Sequence, residues 1–397
     1  MSKQILIVLG ILLVFGCADV SKESQLQTGC SEGSESTPEN QYVSPAPAPA
    51  PSPAPYPTAI TGATASACAL LSDNTIKCWG QNGVGRLGDG TTTDRTTPVT
   101  VSGINNATAI VGGDDHFCAL LSDNTIKCWG HNGSGQLGDG TTTHRTTPVA
   151  VSGIGDAVNL SAGGANSCAV LSNKTAKCWG SNSIRQLGDG TTTNRSTPVT
   201  VSDITNATKI FGGRSDNCAF LDNNSIQCWG GLSVLSNYAD ISSASKVSLV
   251  RQGGDILFIC TLFGNNTIQC AGQNSSGKPV FGNGTTSSSS TLVTVTGISN
   301  ATAISVGEQH ACALLSDNTV KCWGNNSYGQ LGDGTTTNRS TPVTVSGIST
   351  ATSIEASKNK TCAVLSGNTL QCWGRNDYGQ LGDGTTTNRS TPVTVQF

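Results

Sequence analysis

The sequence has little charge and few aromatic side chains. Charged residues account for 12% and aromatic residues for 5% of the 397 residues, and the formal net charge at pH 7 is −3. Glycine, threonine, serine and asparagine are abundant, which is typical of many short strands joined by tight turns and argues against long amphipathic helices. Proteins that bind nucleic acid usually carry a basic face, so we expect neither DNA nor RNA as a partner.

Motifs for catalysis are also missing. Histidine occurs at four positions, and no serine, cysteine or histidine motif suggests a nucleophile. The glycine-rich loops lack the lysine of a phosphate-binding loop. The sequence therefore predicts a protein that is not an enzyme and that uses no cofactor.

The apolar run near the amino terminus, residues 5–15, is too short to be a convincing membrane span. It follows Lys3 and precedes small residues, which is the pattern of an export signal. The string "VFGC" (14–17) resembles the bacterial lipobox, in which the cysteine becomes the lipid-bearing first residue, although Phe15 is unusual there. We predict a signal peptide over residues 1–17.

Lipidation at Cys17 would attach the protein to a membrane of the bacterial cell envelope, at the outer membrane or cell surface rather than the inner membrane. A cut after Ala18 would instead release a soluble exported protein, and this alternative stays open. Residues 18–58 show no periodicity, and "SPAPAPAPSPAPYP" (44–57) favours polyproline II at about 3.1 Å per residue. This segment is predicted to be a spacer between the anchor and a folded domain.

Residues 59–397 contain an internal repeat of about fifty residues. Each unit holds four short apolar or β-branched runs, for example "PVTV", "ATAIV", "FCALL" and "TIKCW", separated by turn-forming residues. Four such strands make one antiparallel sheet, which is too small to bury both of its faces alone. Seven units arranged radially predict an all-β, seven-bladed β-propeller.

The two ends of the repeat region suggest how the ring closes. The first unit starts at "TAITGATASAC" without a preceding "TPVTV", and the seventh unit is followed by an extra "TPVTV" (391–395). We therefore predict that residues 391–396 complete the first blade.

Two cysteines ten residues apart occur in every unit. If "SDN" (72–74) is a three-residue loop with Asn74 left-handed, Cys68 faces Cys78 at a non-hydrogen-bonded position, where two strands approach most closely. Export favours a disulfide over free cysteines that pack a strand, and zinc sites usually space paired ligands more closely. The predicted disulfides are Cys68–Cys78, Cys118–Cys128, Cys168–Cys178, Cys218–Cys228, Cys260–Cys270, Cys312–Cys322 and Cys362–Cys372.

Two further cysteine and carboxylate patterns bear on bridges and metals. Cys30 in the spacer has no partner if Cys17 carries lipid, and it is either free or links two chains. The string "LGDGTTT" returns at 87, 137, 187, 331 and 381, but each copy offers one carboxylate, whereas a calcium loop needs several. We predict a turn capped by aspartate and no metal site.

The string "HACALLSDNTVKCWGNNSYGQLGDGTTT" (310–337) resembles the repeat of the regulator of chromosome condensation family. The resemblance covers residues 59–397, implies the same seven-bladed propeller and suggests a protein-binding role. His116 and His310 occupy the family's histidine position, where we expect structural hydrogen bonds. The chain departs from the family in its paired cysteines, in Ala271 at the recurrent tryptophan position, and in an irregular sector between Gly230 and Gly284.

Variation within near-identical units points to a binding face. The residues four and three positions before each first cysteine differ from unit to unit, whereas the scaffold repeats. Loops on rigid scaffolds often bind partners, although neutral drift at exposed turns would give the same variation. The predicted binding residues are Asp114, Asp115, Arg214, Ser215, Glu308, Gln309, Lys358 and Asn359.

We expect a protein partner for this face, with the propeller acting as an interaction scaffold or an inhibitor-like module. The alternative is an adhesin that binds carbohydrate or the cell envelope. Exposure of clustered aromatics such as Tyr328 and Tyr378 would favour that alternative.

Overall fold

The computed structural model describes residues 53–213, 216–231, 244–252, 256–272 and 280–397. These residues form antiparallel sheets arranged as the seven blades of a propeller, with four strands in every blade except the fourth, where three lie in the described residues. No helix in these ranges is long and apolar enough to cross a membrane. The predicted fold class is confirmed.

Each blade is a meander of consecutive strands. The strands of blades 1 to 3 are β1 (Pro57–Gly62), β2 (Ser66–Leu71), β3 (Ile76–Gly80), β4 (Arg95–Thr100), β5 (Ala107–Gly112), β6 (His116–Leu121), β7 (Ile126–Gly130), β8 (Arg145–Ala150), β9 (Ala157–Ala162), β10 (Asn166–Leu171), β11 (Ala176–Gly180) and β12 (Arg195–Thr200). Those of blades 4 and 5 are β13 (Ala207–Gly212), β14 (Asp216–Leu221), β15 (Ile226–Gly230), β16 (Ala244–Gln252), β17 (Ile256–Phe263), β18 (Ile268–Gly272) and β19 (Ser289–Thr294). Those of blades 6 and 7 are β20 (Ala301–Val306), β21 (His310–Leu315), β22 (Val320–Gly324), β23 (Arg339–Thr344), β24 (Ala351–Ser357), β25 (Lys360–Leu365), β26 (Leu370–Gly374) and β27 (Arg389–Thr394).

The hydrophobic core lies between neighbouring blades. The cluster between blades 1 and 2, for example, joins Ile76 and Leu87 of blade 1 to Phe117 and Trp129 of blade 2. A buried side chain of this size stabilises the fold by roughly 1.5–3 kcal/mol through the area it removes from water. Stability therefore depends on packing between blades rather than within one sheet.

The recurrent tryptophan also fixes the distance between blades by a hydrogen bond. Trp129 Nε1 donates to the backbone oxygen of Arg86 in the preceding blade at 2.9 Å. Gly88 lies under the same indole with φ 65°, and a Cβ there would come within 2.9 Å of the ring. The pair explains why the units repeat both the tryptophan and the glycine of Leu-Gly-Asp. The bond recurs at Trp79, Trp179, Trp229, Trp323 and Trp373.

The predicted closure by the last strand is wrong. β27 pairs with β26 of its own blade, with Val393 opposite Cys372, and β4 completes blade 1. Short connections favour pairing between consecutive strands, so "TPVT" follows its own sheet instead of preceding the next one. The closing junction uses the same bonds as the others, from Trp79 Nε1 to the Gln380 oxygen and from the Gly384 N–H to the Thr96 oxygen, both at 3.0 Å.

The predicted disulfides are present in the seven hairpins. Cys68 lies opposite Cys78 with 4.0 Å between the Cα atoms, and the other pairs, each ten residues apart, are at 4.0–4.1 Å. Asn74 has φ 63°, and the Leu71 N–H donates to the Thr75 oxygen at 2.9 Å, as the three-residue loop requires. Cys17 and Cys30 lie outside the described residues.

The "LGDGTTT" loops are held by their aspartates. Asp89 Oδ1 accepts hydrogen bonds from the Thr91 N–H at 3.0 Å and from Asn82 Nδ2 at 3.2 Å, and Asp89 Oδ2 lies 3.2 Å from Arg95 Nη2. Burial raises the pKa of Asp89, but these hydrogen bonds outweigh burial and hold it below its usual range. Among the described residues no group of three or more histidine, cysteine or acidic side chains could hold a metal ion.

The bridges should differ in how fast a reductant reaches them. Cys228 is half-buried, whereas its partner Cys218 and the other bridge cysteines are buried. Thiol exchange needs access to sulfur, so we expect Cys218–Cys228 to be reduced first in the folded protein. Timed alkylation and peptide mapping under dithiothreitol would measure the order. Simultaneous reduction of all seven bridges in native buffer would contradict the prediction.

Candidate functional site

Two loops of each blade meet at one end of the ring, which we call the upper face. The first strand of a blade ends there, and so does the third, because successive strands run in opposite directions. The Gln81 N–H donates to the Ala65 oxygen at 2.8 Å, and the His131 N–H donates to the Asp115 oxygen at 2.9 Å. The opposite end, which carries hairpins such as residues 72–75, is the lower face.

The predicted binding residues that the structure describes all lie on the inner loops of the upper face. These loops connect the first and second strands around the axis of the ring. The described members are half-buried, and they are Asp114, Asp115, Glu308, Gln309, Lys358 and Asn359. Arg214 and Ser215 lie outside the described residues.

Backbone hydrogen bonds link these inner loops from blade to blade. The Thr64 N–H donates to the Asp114 oxygen at 3.0 Å, and the Asp114 N–H donates to the Gly164 oxygen at 2.9 Å. The Glu308 N–H donates to the Lys358 oxygen at 3.0 Å. The inner loops are therefore part of the contacts between blades as well as part of the surface.

The charged residues of this ring form ion pairs with residues of other blades and are partly exposed. Lys358 Nζ lies 3.1 Å from Asp114 Oδ1 across the axis, and their side chains are 18% and 23% exposed. Asp115 pairs with Arg86 at 3.0 Å, with 37% of its side chain exposed. Asn359 Oδ1 accepts from Gln330 Nε2 at 3.4 Å. A single sequence does not show these contacts, because the partners come from other repeats.

The inner loops surround a small cavity on the axis. Its volume is about 130 Å³, and backbone of glycine pairs supplies much of its wall, with the charged side chains Asp114, Glu355 and Lys358. A Cβ on Gly163 would come within 2.2 Å of the Gly213 oxygen. Glycine is required there because neighbouring chains approach too closely for a side chain.

Buried histidines connect blades beside this cavity. His116 Nε2 lies 2.8 Å from Ser167 Oγ of the next blade, and His310 Nε2 lies 2.9 Å from Thr361 Oγ1. Both rings are fully buried. Burial lowers the pKa of His116 to about 4 and that of His310 to about 3. Both histidines are therefore neutral near pH 7 and act as hydrogen-bonding groups.

Blade 7 has an ionisable residue at each of two positions that are neutral in most other blades, although blade 4 has Asp216 at the second of them. Lys360 occupies the position of His310, and its Nζ donates to the Ala63 oxygen at 2.7 Å. The Glu355 carboxylate lines the cavity and accepts a hydrogen bond from the Gly62 N–H. Burial raises the pKa of Glu355 to about 7 and lowers that of Lys360 to about 7.

The loops after the third strands add residues that the sequence analysis did not select. The variable positions there are occupied by Gln81, His131, Ser181, Asn325 and Arg375, and three residues later by Val84, Ser134, Ile184, Tyr328 and Tyr378. These positions differ among otherwise near-identical units, and this difference is visible in the sequence alone.

The most distinctive of these positions form a patch between blades 6 and 7, which we call the rim patch: Tyr328, Arg375, Asp377 and Tyr378. The Arg375 guanidinium lies 5.2 Å from the centre of the Tyr328 ring, and Arg375 Nε donates to Asp377 Oδ2 at 2.7 Å. Tyr378 is 38% exposed.

The lower face does not vary in this way. "SDNT" occurs unchanged at 72–75, 122–125 and 316–319, and the remaining copies keep a similar turn. Asp73 Oδ1 accepts from the N–H and the hydroxyl of Thr75 at 3.1 and 2.6 Å. The upper face is therefore the variable end of a scaffold whose lower end is nearly constant.

The buried histidines should make the ring sensitive to acid. A histidine in the unfolded chain has a pKa of about 6.5, so the unfolded chain gains protons that buried His116 cannot bind until about pH 4. Stability should fall as the pH drops through this window. His116→Asn, the residue of blade 3, should reduce the fall by on the order of 1–3 kcal/mol.

Urea unfolding at pH 7 and pH 4.5 measures this difference. His144→Asn, at an exposed histidine that blade 3 also replaces by asparagine, is the matched control. An unchanged pH dependence in the His116 variant would show that this histidine is not buried as a neutral group.

Comparison with known proteins agrees with this architecture. Models of the regulator of chromosome condensation (RCC1) repeat match residues 75–120, 126–170, 317–364 and 369–397, and a second model of that repeat matches 107–136, 301–330 and 351–380. No curated protein matches the chain.

Solved structures share the fold at low sequence identity. Yeast RCC1 (Prp20) bound to Kap60 has a TM-score of 0.69 at 17% identity, covering 82% of this chain and 84% of that one. Prp20p from Saccharomyces cerevisiae, described with its binding to Gsp1p and histones, gives 0.69 at 18% identity and covers 83% and 87%. Human WBSCR16 gives 0.67 at 17% identity and covers 82% and 94%. The chain contains regulator of chromosome condensation repeats, and its repeats form a seven-bladed propeller.

Proposed function

We propose that this propeller binds a protein partner through its upper face and that it does so in the bacterial cell envelope. The observation that carries the proposal is that sequence variation among the units is greater at the upper face than at the lower face. Seven copies of one unit repeat their interblade contacts and lower hairpins, while inner loops and rim positions differ. Binding residues usually lie on loops that a rigid scaffold positions.

The chemistry of the upper face supports a protein partner. Tyrosine and arginine are enriched among residues that dominate protein interfaces, and the rim patch combines both. Arg375 pairs with Asp377 within the rim patch, so the patch offers aromatic surface beside a paired charge. The similar yeast propeller was solved with Kap60 bound, which is consistent with protein binding by this fold.

Export and lipid anchoring belong to the same proposal. Seven disulfides persist in an oxidising compartment, and "VFGC" precedes a proline-rich spacer that would separate the ring from a membrane. We assign the protein no catalytic activity. The buried histidines connect blades, and we propose that binding alone is the function.

A carbohydrate or envelope adhesin is the second candidate. Tyr378 presents an exposed aromatic side chain beside Arg375, and exposed tyrosine in a loop is compatible with sugar stacking. Tyr328 lies half-buried under the guanidinium and offers less surface. The small exposed aromatic surface favours a protein partner over a carbohydrate. Capture of the ligand decides between the two candidates.

Exchange of residues between copies tests the upper face. Tyr378→Ser and Arg375→Ser give blade 7 the residues of blades 2 and 3, and we expect them to weaken binding of a captured envelope partner at least about tenfold. Asp317→Gly, the residue of blade 7, alters the lower face of blade 6 and serves as the matched control. Titration of the purified partner against each variant gives the affinities.

Equal affinity of the rim variants and the parent would remove the rim patch from the site. Capture of a polysaccharide that Tyr378→Ser abolishes would establish the adhesin instead. Loss of binding in the control alone would place the site on the lower face.

Lipid anchoring predicts the behaviour of Cys17→Ser. A stable anchor depends on the acyl chains, so the variant should leave the membrane fraction and accumulate as a precursor or a product cut elsewhere. Detergent partitioning and mass spectrometry of the amino terminus measure both effects. A variant that fractionates with membranes as the parent does would show that Cys17 is not the anchor.

A further inference from the structure

The ring has one junction that the chain does not cross. Blades 1 and 2 are joined by the six residues 101–106, and blades 2 and 3 by residues 151–156. Blade 7 ends at Thr394 and blade 1 begins at Pro57, so side chains and backbone contacts must close the ring. The hydrogen bonds of Trp79 and Gly384 at this junction are the same as those at other junctions. They therefore do not compensate for the missing connection.

The inner hairpin of blade 7 differs from its counterparts. We call residues 355–360 the axial hairpin. Its strands pair as far as Ser357 opposite Lys360, and Lys358 turns the chain with φ 47°. In blade 6 the corresponding pairing stops at Val306 opposite Ala311, before a longer loop. The tighter turn carries Lys358 across the axis toward blade 2.

The axial hairpin contacts blade 1 through two charged side chains. Lys360 Nζ donates to the Ala63 oxygen at 2.7 Å, and Glu355 accepts from the Gly62 N–H. Both acceptor and donor lie at the end of the first strand of blade 1. Lys358 extends the contact to Asp114 of blade 2.

The position of Glu355 is neutral at the other described junctions, and the position of Lys360 is neutral at most of them, whereas blade 4 has the buried Asp216 there. Ser305, at the position of Glu355, accepts from the Ala356 N–H at 2.9 Å, and Ser248 accepts from the Val306 N–H at 3.1 Å. His116 meets a serine of the next blade. Hydrogen bonds to ionised groups are roughly twice as strong as neutral ones. Among the described blades, blade 7 has an ionisable side chain at both positions, so the stronger type of bond can form, when these groups are ionised, at the junction where covalent continuity is missing.

We infer that the axial hairpin closes the ring. Its side chains Glu355 and Lys360, which we call the clasp, hold the first strand of blade 1 where no shared strand or connecting loop does so. The other charged groups near these two side chains are Lys246, Lys358 and Asp114, which lines the same cavity. Removal of the Lys360 ammonium leaves the Ala63 oxygen without this hydrogen bond, and removal of the Glu355 carboxylate does the same to the Gly62 N–H. The first consequence should be opening between blades 7 and 1.

Circular permutation isolates this role. Joining Phe397 to Ala54 places six residues, 395–397 and 54–56, between Thr394 and Pro57, the length of the other connections. New termini within residues 295–300, between blades 5 and 6, leave the closing junction covalent and the His116 junction between blades 2 and 3 uninterrupted. Lys360→Met and Glu355→Ser are then compared in the native order and in the permutant, with His116→Asn as the control at an uninterrupted junction.

Hydrogen exchange of β1 and β24 amides, relative to β9 and β13 in the same molecule, is the readout. We expect each clasp variant to exchange about tenfold faster at β1 in the native order and less than about twofold faster in the permutant. The control should show no such preference for β1. Equal acceleration in both chain orders, or none in the native order, would overturn the proposal.

Failure to fold is also decisive. A clasp variant that folds only as the permutant supports closure as the role of the pair. A variant that folds in neither order overturns it, because the pair would then be needed within blade 7 itself. These outcomes do not depend on any ligand of the upper face.

Discussion

Burial of each sheet against its neighbours is the constraint on which the rest of the structure depends. A four-stranded blade has two apolar faces and no core of its own, so every blade needs one neighbour on each side. The Trp129 indole, its bond to the Arg86 oxygen and Gly88 beneath it show how one unit completes the next. A break anywhere in the ring would leave two sheet faces in water.

This constraint also decides which residues can vary. Tryptophan, the glycine beneath it and the aspartate of the long loop each contact fixed partners, and they recur from blade to blade. The side chains of Arg375 and Tyr378 lie in the rim patch, and these positions differ between units. The inner loops lie between these extremes. Asp114 varies in identity among the copies, but its backbone is bound to both neighbouring blades.

The junction between blades 7 and 1 is packed like the other junctions, although no segment of the chain connects these two blades. Packing of Val395 and Leu381 around Trp79 repeats the core of the other junctions, and the Phe397 ring lies 6.0 Å from the indole. The buried charges of blade 7 are additional. Their burial has an electrostatic cost, which is tolerated where both groups find partners on the blade they hold.

Hairpin geometry and fold class followed from the sequence, because both depend on short separations. A three-residue loop with Asn74 left-handed sets Cys68 opposite Cys78, and the repetition of that hairpin requires stacking neighbours. The sequence did not determine which strand of the repeat is the first strand of a blade. A period of fifty residues fits a blade that begins with "TPVTV" as well as one that ends with it, and only the pairing of β27 with β26 decides between them. The surroundings of the candidate site were also decided by tertiary structure. Lys358 meets Asp114, and Lys360 meets Ala63, across hundreds of residues of chain. Local pattern determines which strands pair in this protein, whereas the partners of a side chain on the axis depend on the closed ring that brings distant repeats together.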